Sequence, residues 1–428
     1  MQLTINNKIY TDNSKEANEN SIFVISKQNE RFVKSAKENG CKDFVNASDL
    51  KNHLDMSSIK VIGITGTNGK TTTAAAIYSI LLDLGFKVAL QGTRGFFIND
   101  ERVEEYTLTT PVQLGNFAHI QKAINNGCQF FVMEVSSHAL EQKRIEGLEF
   151  ELKIHTNITR DHLDYHKTIE EYVNVKNSFF TDETKKLINK DDPLVKFNPK
   201  NAFSYGMENP STYNVSAYSF QNGTNVMFSK IEQMHSFSSN MMGIFNIYNM
   251  LAAVAAVDIT TNKDLNEICE AVENFAGVSG RMETVSTNPF IIVDFAHTPD
   301  GMKEVCESFN HKEIIVVFGA GGDRDQDKRA LMGQVASNFA KTIIVTSDNP
   351  RFEDPDLIIN DICKGIKNKD NLLIEINRKE AIKKAVQMGK ENEDSVVLIL
   401  GKGDEPYQII YDKKFPLVDK DEVLKHIN

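Results

Sequence analysis

Residues 61–73, Val-Ile-Gly-Ile-Thr-Gly-Thr-Asn-Gly-Lys-Thr-Thr-Thr, carry the densest chemical signal in the chain. A short apolar run passes through Gly66, Thr67, Asn68 and Gly69 into Lys70-Thr71-Thr72 and then Ala74-Ala75-Ala76-Ile77. That order is strand, tight loop, helix. Such a loop aims backbone N–H groups and a helix N-terminus at one point, which suits a phosphate chain. Lys70 would neutralise terminal phosphates, and Thr71 could hold Mg²⁺. The strict pattern G-x-x-x-x-G-K-[ST] is missed by one position, because Ile64 stands where glycine is needed and the glycine is Gly63. A chance Gly-Lys-Thr in a surface turn is the bland alternative, and the strand before and helix after it argue against that.

Two further stretches fall where a parallel sheet would bring them to the same edge. Glu134 closes the apolar run Gln129–Val135 and precedes Ser136-Ser137-His138. Ligands of open α/β sheets sit beyond the carboxyl ends of strands, so Glu134 would face the crevice of Lys70 and could coordinate Mg²⁺ there. A strand-end salt bridge is the competing reading. After the strand Glu151–Asn157 comes Arg160-Asp-His-Leu-Asp-Tyr-His166, two histidines and two aspartates in one loop. A metal-ligand histidine or a phosphate contact is preferred here, although an isolated His-x-x-x-His is more often structural.

The elements that must position these groups alternate along the chain. Residues 1–58 read as a small α/β unit containing the apolar pieces Ser21–Ile25 and Asp43–Val45. From 59 to 278 we expect a helix over 71–84 ended by Gly85, a strand Lys87–Gln91, and a helix opened by Pro111 and running to Asn125. A helix Ile169–Phe180, a β-rich insertion over 207–240, and helices at 246–258 and 264–275 follow. From 279 to 428 the expected strands are Phe290–Phe295, Glu313–Phe318, Thr342–Thr346, Leu372–Ile376 and Ser395–Leu400, with helices between. The fold class is therefore α/β in three domains. A small α/β N-terminal domain precedes a central P-loop-type domain on a mostly parallel sheet and a C-terminal doubly wound, Rossmann-like domain.

Composition narrows the class. The net charge of −11 without a basic stripe speaks against nucleic acid as a partner. Five scattered cysteines with no Cys-x-x-Cys pair give neither a disulfide framework nor a zinc site and suit a reducing compartment. No apolar run approaches the roughly 18 residues of a membrane span, and no signal-peptide core is visible. A cytoplasmic protein is expected.

The runs Gly63-Ile-Thr-Gly-Thr-Asn-Gly-Lys-Thr-Thr, Glu134-Val-Ser-Ser-His-Ala-Leu and Asn157-Ile-Thr-Arg-Asp-His-Leu-Asp-Tyr-His resemble the Mur ligases, the ATP-dependent amide ligases that build the peptide stem of bacterial peptidoglycan. Gly243-Ile-Phe-Asn-Ile-Tyr-Asn, Gly280-Arg-Met-Glu, Asp294-Phe-Ala-His-Thr-Pro-Asp and Gly319-Ala-Gly-Gly-Asp-Arg-Asp extend the match, in family order, over most of residues 60–410. The resemblance implies a UDP-binding domain (1–58), an ATP-binding domain (59–278) and an amino-acid-binding domain (279–428). It implies that the loop Gly66–Thr72 holds ATP with Asn246, Asn249, Arg281 and Asp294. Two Mg²⁺ ions would be held by Thr71, Glu134, His162 and a carbamylated Lys176. Ser14, Thr109, Thr110, Ser136, Gln142 and Arg144 correspond to contacts with UDP-N-acetylmuramoyl-L-alanyl-D-glutamate. Lys70, Glu134, His162 and Lys176 would carry the catalysis. From its own surroundings, Lys176 reads as an exposed helical lysine.

Asp348-Asn349-Pro350-Arg351 is a turn signal directly after the strand Thr342–Thr346. A guanidinium there can grip a carboxylate in a two-point fork that lysine cannot imitate. In the family this turn marks enzymes that add meso-2,6-diaminopimelate, with Arg324, Gly401 and Glu405 as the remaining contacts; an L-lysine-adding homologue is the alternative. The family's Gly-Lys-Gly-His-Glu is here Gly401-Lys-Gly-Asp404-Glu405, and its Asp-Arg is Asn377-Arg378. A shorter segment before the ATP loop leaves room for a differently built uridine site. A monomer is expected. Two rivals remain. Asn189-Lys190-Asp191-Asp192 fits the guanine-reading pattern of a GTP-dependent switch protein, although no Asp-x-x-Gly precedes it. A folylpolyglutamate-type ligase would share the ATP chemistry but not the Thr109-Thr110-Pro and Asp-Asn-Pro-Arg stretches.

Overall fold

The computed structural model describes residues 2–105, 108–221 and 223–427. Its centre is a set of parallel strands that are short, apolar and buried. Lys60–Thr65 lies between Phe130–Glu134 and Leu152–His155, and Val88–Gly92 flanks Phe130–Glu134 on the other side. Lys186–Asn189, Ala202–Gly206 and Tyr213–Ser219 continue the sheet in parallel beyond Leu152–His155. Antiparallel hairpins extend both ends, Gly95–Ile98 with Glu101–Glu105 on one side and Thr224–Lys230 with Gln233–Ser239 on the other. The expected insertion over 207–240 is thus part of the sheet.

Two helices stack on this sheet and on each other, Lys70–Asp83 and Ile244–Thr260. The second contains Met250-Leu-Ala-Ala-Val-Ala-Ala-Val257, every residue of which is buried. Its alanines let the two helices approach while its larger side chains fill the core on either flank. From here a contiguous apolar core runs into the C-terminal half through Met302, Val305 and Ile314.

That half is a six-stranded sheet of Glu283–Thr287, Phe290–Asp294, Ser395–Leu400, Glu313–Phe318, Thr342–Val345 and Leu372–Ile374. All pairs are parallel except the first. A small hairpin, Tyr407–Ile410 with Lys413–Pro416, stands beside it. At the other terminus, Gln2–Ile5, Lys8–Thr11, Ser21–Ile25 and Asp43–Asn46 form a separate four-stranded sheet.

Two expectations need correction. Pro111 does not open a helix. The chain stays extended through Val112 and the helix runs Gln113–Asn125, because Thr110 Oγ1 donates to the Glu134 carbonyl and holds this segment against the neighbouring strand end. Lys176 is not an exposed helical lysine; it is 1% exposed. The buried strand Lys186–Asn189 and the polar edge strands gave no clear alternation in the sequence.

Arg378, where the family pattern is broken by Asn377, turns out to be structural. Asn377 caps the helix Arg378–Glu391 through Lys379 N. The Arg378 guanidinium donates from Nε and Nη2 to the two Asp419 oxygens at 2.8 and 2.6 Å, and from Nη2 to the Leu400 carbonyl at 3.0 Å. Both side chains are fully buried. Removing one partner strands the other charge, at about 3–5 kcal/mol. Asp419→Ala should therefore lower the stability of the C-terminal sheet by about 3–5 kcal/mol, read as the shift of its urea midpoint. An unchanged midpoint would contradict this account of the pair.

Candidate active site

Parallel register brings the ends of Lys60–Thr65, Phe130–Glu134 and Leu152–His155 to one edge, with Ile64 opposite Glu134 and Thr65 opposite His155. The loop Gly66–Gly69 hangs from that edge. Thr67 N donates to the Asn157 carbonyl at 2.7 Å and Asn68 N to Asn157 Oδ1 at 2.9 Å. Gly69 caps the helix Lys70–Asp83 with φ 82°, and a Cβ there would lie 2.3 Å from Asn249 Oδ1. Glycine is required on both counts. Lys70 folds back over the loop, its Nζ donating to the Gly66 and Thr67 carbonyls at 2.7 and 2.8 Å. Burial lowers its pKa, Glu134 and Asp161 oppose that, and Arg281 adds to it.

Glu134 is 2% exposed and gathered into the same corner. Its Oε2 accepts from Thr71 Oγ1 at 2.9 Å, and its Oε1 accepts from Thr93 N at 2.9 Å. A hydroxyl and a carboxylate oxygen beside a phosphate cradle suit Mg²⁺, which takes one or two protein oxygens and completes its shell with substrate phosphate and water. Among the described residues no group of three or more His, Cys, Asp or Glu side chains is assembled as a metal cage. The donor set therefore fits a substrate-completed ion.

Lys176 converges on the same loop. Its Nζ donates to the Gly66 carbonyl at 2.8 Å and lies 4.9 Å from the centre of the Tyr172 ring. Burial, with Lys70 reinforcing it, holds the amine well below the usual lysine range, while Asp161 opposes. His162 sits at the start of the short helix Leu163–His166 with φ 53°. Its Nε2 is 3.4 Å from Asp161 Oδ2, and its ring meets His138 edge-on at 5.0 Å. Burial would raise the Asp161 carboxyl, but His297, His162 and Lys328 outweigh it and hold it below the ordinary range.

The C-terminal half closes this corner into a cleft of about 290 Å³, lined by Lys70, Thr71, Glu134, His162 and Lys176 on one side and by Arg324, Asp348, Asn349, Arg351, Gly401 and Glu405 on the other. The turn 348–351 is held from several directions. Asn349 Nδ2 donates to Glu405 Oε2 at 2.9 Å, and Asn349 Oδ1 accepts from Ile409 N at 2.8 Å. Buried Lys402 donates to Glu405 Oε2 at 2.9 Å. Arg351 adopts φ 52°, costly for a side chain this large, and is pinned by backbone bonds to Ile409 and Tyr411. Its Nη1 donates to the Gly322 carbonyl at 2.7 Å. Pro350 shapes the turn without lining the cleft.

Thr109 and Ser136 line the cleft rim. Thr110, Gln142 and Arg144 stand behind it in one hydrogen-bonded set: Arg144 Nη1 donates to the Thr110 carbonyl at 2.8 Å and Nη2 to Gln142 Oε1 at 2.7 Å. Ser14 lies outside the cleft, in the N-terminal sheet unit, where its carbonyl accepts from Asn39 Nδ2 at 2.7 Å. That unit reaches the rim through Lys27 Nζ, which donates to the Glu141 carbonyl at 3.1 Å.

Beyond Gly69 a larger cavity of about 730 Å³ opens between Asn157, Tyr248, Asn249 and Glu304. Asn249 bonds Asn246 at 2.9 Å, and Arg281 and Asp294 line a small pocket joining this cavity to the phosphate loop. The Arg281 guanidinium lies 4.1 Å from the centre of the Phe295 ring, and the Asp294 carboxylate accepts from Met282 N and Ala296 N at 2.7 Å. Asn189, Asp191 and Asp192 also border the cavity, but their polar groups are spent. Asp191 accepts from Met207 N, Asn209 N and Tyr248 Oη, and Asp192 from Ile158 N and Leu194 N. They fasten loops and have little left with which to read a guanine.

Residues 64–257 match the Mur ligase middle domain, and residues 280–403 match the Mur ligase glutamate ligase domain. The chain belongs to the Mur ligase family. This Mur ligase is 55% identical over 414 residues to the UDP-N-acetylmuramoyl-L-alanyl-D-glutamate–2,6-diaminopimelate ligase of Wolinella succinogenes, covering 97% of this chain and 95% of that protein. It is 49% identical to the protein of the same name from Helicobacter hepaticus, covering 94% and 88% of the two chains. A solved structure of a UDP-N-acetylmuramoyl-L-alanyl-D-glutamate–2,6-diaminopimelate ligase superimposes with a TM-score of 0.68 at 29% identity, covering 98% and 94%.

Sequence reasoning missed Thr93, Asp161 and Lys402 in this Mur ligase. Thr93 touches Glu134 through its backbone N–H, which no residue type announces. Asp161 and Lys402 stood within quoted stretches, but only the fold shows that both are buried. Burial pushes the His162 imidazole down to about 4. A free histidine titrates near 6.5, so between those values the unfolded chain binds the extra proton and stability falls as pH falls through that window. The His162 ring should stay neutral from about pH 8 to about pH 5 in an NMR titration. A midpoint near 6.5 would contradict the burial assigned to it.

Proposed function

We propose that this Mur ligase joins meso-2,6-diaminopimelate to the D-glutamate of UDP-N-acetylmuramoyl-L-alanyl-D-glutamate at the expense of ATP. The observation that carries the reading is that the arginine turn 348–351 and the phosphate loop line one cleft. A guanidinium suited to a carboxylate thus stands across from a cradle suited to a phosphate chain. Residues 1–58 would take the uridine end with Ser14, residues 59–278 the ATP, and residues 279–428 the amine donor.

In this reading the free D-glutamate carboxylate attacks the γ-phosphorus of ATP. An acyl phosphate forms and ADP leaves. The diaminopimelate amine then adds to the acyl carbon, loses a proton, and phosphate departs as the amide forms. Gly66–Thr72 holds the β/γ-phosphates, and Asn246, Asn249, Arg281 and Asp294 bound the nucleoside side. Thr109, Thr110, Ser136, Gln142 and Arg144 orient the dipeptide. Arg324, Asp348, Asn349, Arg351, Gly401 and Glu405 orient the amine donor. Two Mg²⁺ ions, at Thr71–Glu134 and at His162–Lys176, would supply neutralising charge for the phosphates. The chain's work is positioning and electrostatic compensation.

Lys176 is proposed to act as a carbamate. A buried amine kept neutral retains the lone pair that attacks CO₂, and the product is an anion where an ammonium would repel metal. Lys176→Ala should abolish most turnover, with partial recovery on adding a short carboxylic acid; full activity without rescue would sink this role.

Phosphate release should depend on diaminopimelate and be far weaker with L-lysine, which has no distal carboxylate for Arg351. Arg351→Ala should lower kcat/KM for diaminopimelate by about 10- to 100-fold, the value of a charge-assisted contact. Equal use of both amino acids by the unaltered enzyme would favour the lysine-adding alternative.

A further inference from the structure

Ionic contacts cross between the central sheet and the C-terminal sheet around the cleft. Arg160 pairs with Asp325 and Asp327 at 3.3 and 3.1 Å, Arg324 with Asp164 at 3.3 Å, and Arg94 with Asp404 at 2.9 Å. Neither partner of the Arg94–Asp404 pair lines the cleft. Each is nonetheless one step from a residue that does.

Arg94 follows Thr93, whose N–H donates to Glu134 Oε1 at 2.9 Å and whose hydroxyl donates to Glu134 Oε2 at 3.3 Å. Asp404 lies in the loop Gly401–Glu405. Glu405, its neighbour, accepts from Asn349 and Lys402, both at 2.9 Å. Gly401 N donates to the Asp294 carbonyl at 3.1 Å. The backbone at Asp404 is pressed against the start of the C-terminal half: a Cβ at Gly280, where φ is 70°, would lie 2.1 Å from Asp404 N. The loop is thus fixed to its own sheet on one side, and Arg94 fixes it on the other to the turn between Val88–Gly92 and Gly95–Ile98, beside Glu134.

We propose that Arg94 is a positioning residue that, through Asp404, sets the amine-donor loop Gly401–Glu405 in register with Glu134. This rests on the ligase reading given above and extends it: the Arg94–Asp404 pair aligns the attacking amine with the carbonyl activated at the Glu134 corner. It also assigns a role to Asp404, the position where this chain departs from the family's histidine. The pair is partly exposed, with the arginine side chain 32% and the aspartate 20% accessible, so its effect is moderate and screened by salt.

A double-mutant cycle of charge-neutral substitutions tests this, using the amine donor that the unaltered enzyme accepts. A failure of the diaminopimelate reading then shows in the parent, and a failure of this inference shows in the variants. Arg94→Gln and Asp404→Asn should each lower kcat/KM for the amine donor by about three- to tenfold. KM for ATP and for the UDP-dipeptide should stay within about twofold and the melting temperature should hold, because neither side chain lines the cleft or belongs to an apolar core. The double variant should be no worse than either single one, and Arg94→Lys should recover part of the loss. The inference is overturned by unchanged amine-donor kinetics, by additive losses in the double variant, or by equal rises in all three KM values.

Discussion

The molecule depends on one constraint, the parallel register of Lys60–Thr65 with Phe130–Glu134 and Leu152–His155. Parallel pairing sends all three strand ends to the same edge, where three loops must share a small volume. A one-residue slip of Phe130–Glu134 would turn Glu134 to the opposite face of the sheet, away from Thr71. The strand Lys60–Thr65 is buried from Val61 onward, and so is all of Phe130–Glu134, so apolar packing on both faces fixes that register. Burial of helix Ile244–Thr260 behind the phosphate helix then presses Asn249 against Gly69 and completes the cradle.

The same corner concentrates charge that water would otherwise dilute. Lys70 and Lys176 both donate to the Gly66 carbonyl, and Glu134 and Asp161 stand close by. Burial and the neighbouring Lys70 depress the protonation of Lys176, and the negative charge of substrate phosphates would relieve that repulsion. The opposite wall is arranged differently. The arginine turn is set within the C-terminal half by hydrogen bonds from Ile409 and Lys402 to Asn349, while Arg324 beside it pairs with Asp164 across the cleft. What remains is to bring two preformed walls together, a task shared by a continuous apolar core and a few ionic contacts at the rim.

Much of this was legible in the residues. The glycine-rich loop 66–69, Glu134 and the loop 160–166 stand out as residue types at spacings that strand–helix alternation puts on one sheet edge, and the turn 348–351 stands out separately after Thr342–Thr346. Long apolar runs such as Glu313–Phe318 and Ser395–Leu400 matched their strands to the residue. Contacts made by backbone atoms, such as Thr93 N on Glu134, were not legible, because any residue can make them. Nor was the burial of Lys176, since its helix Ile169–Asn177 mixes apolar and polar residues and only tertiary packing decides which face turns inward. Pro111 misled because proline suits a first helical turn, while here Thr110 is tied to the Glu134 carbonyl and keeps the chain extended.

The central claim is that the two walls serve one reaction, in which phosphate is transferred to a carboxylate before the amine arrives. Labelling the free D-glutamate carboxylate of the UDP-dipeptide with ¹⁸O and analysing the released phosphate by mass spectrometry tests it directly. An acyl phosphate requires one labelled oxygen to leave with phosphate for each amide formed. Amide formation with unlabelled phosphate would contradict the account.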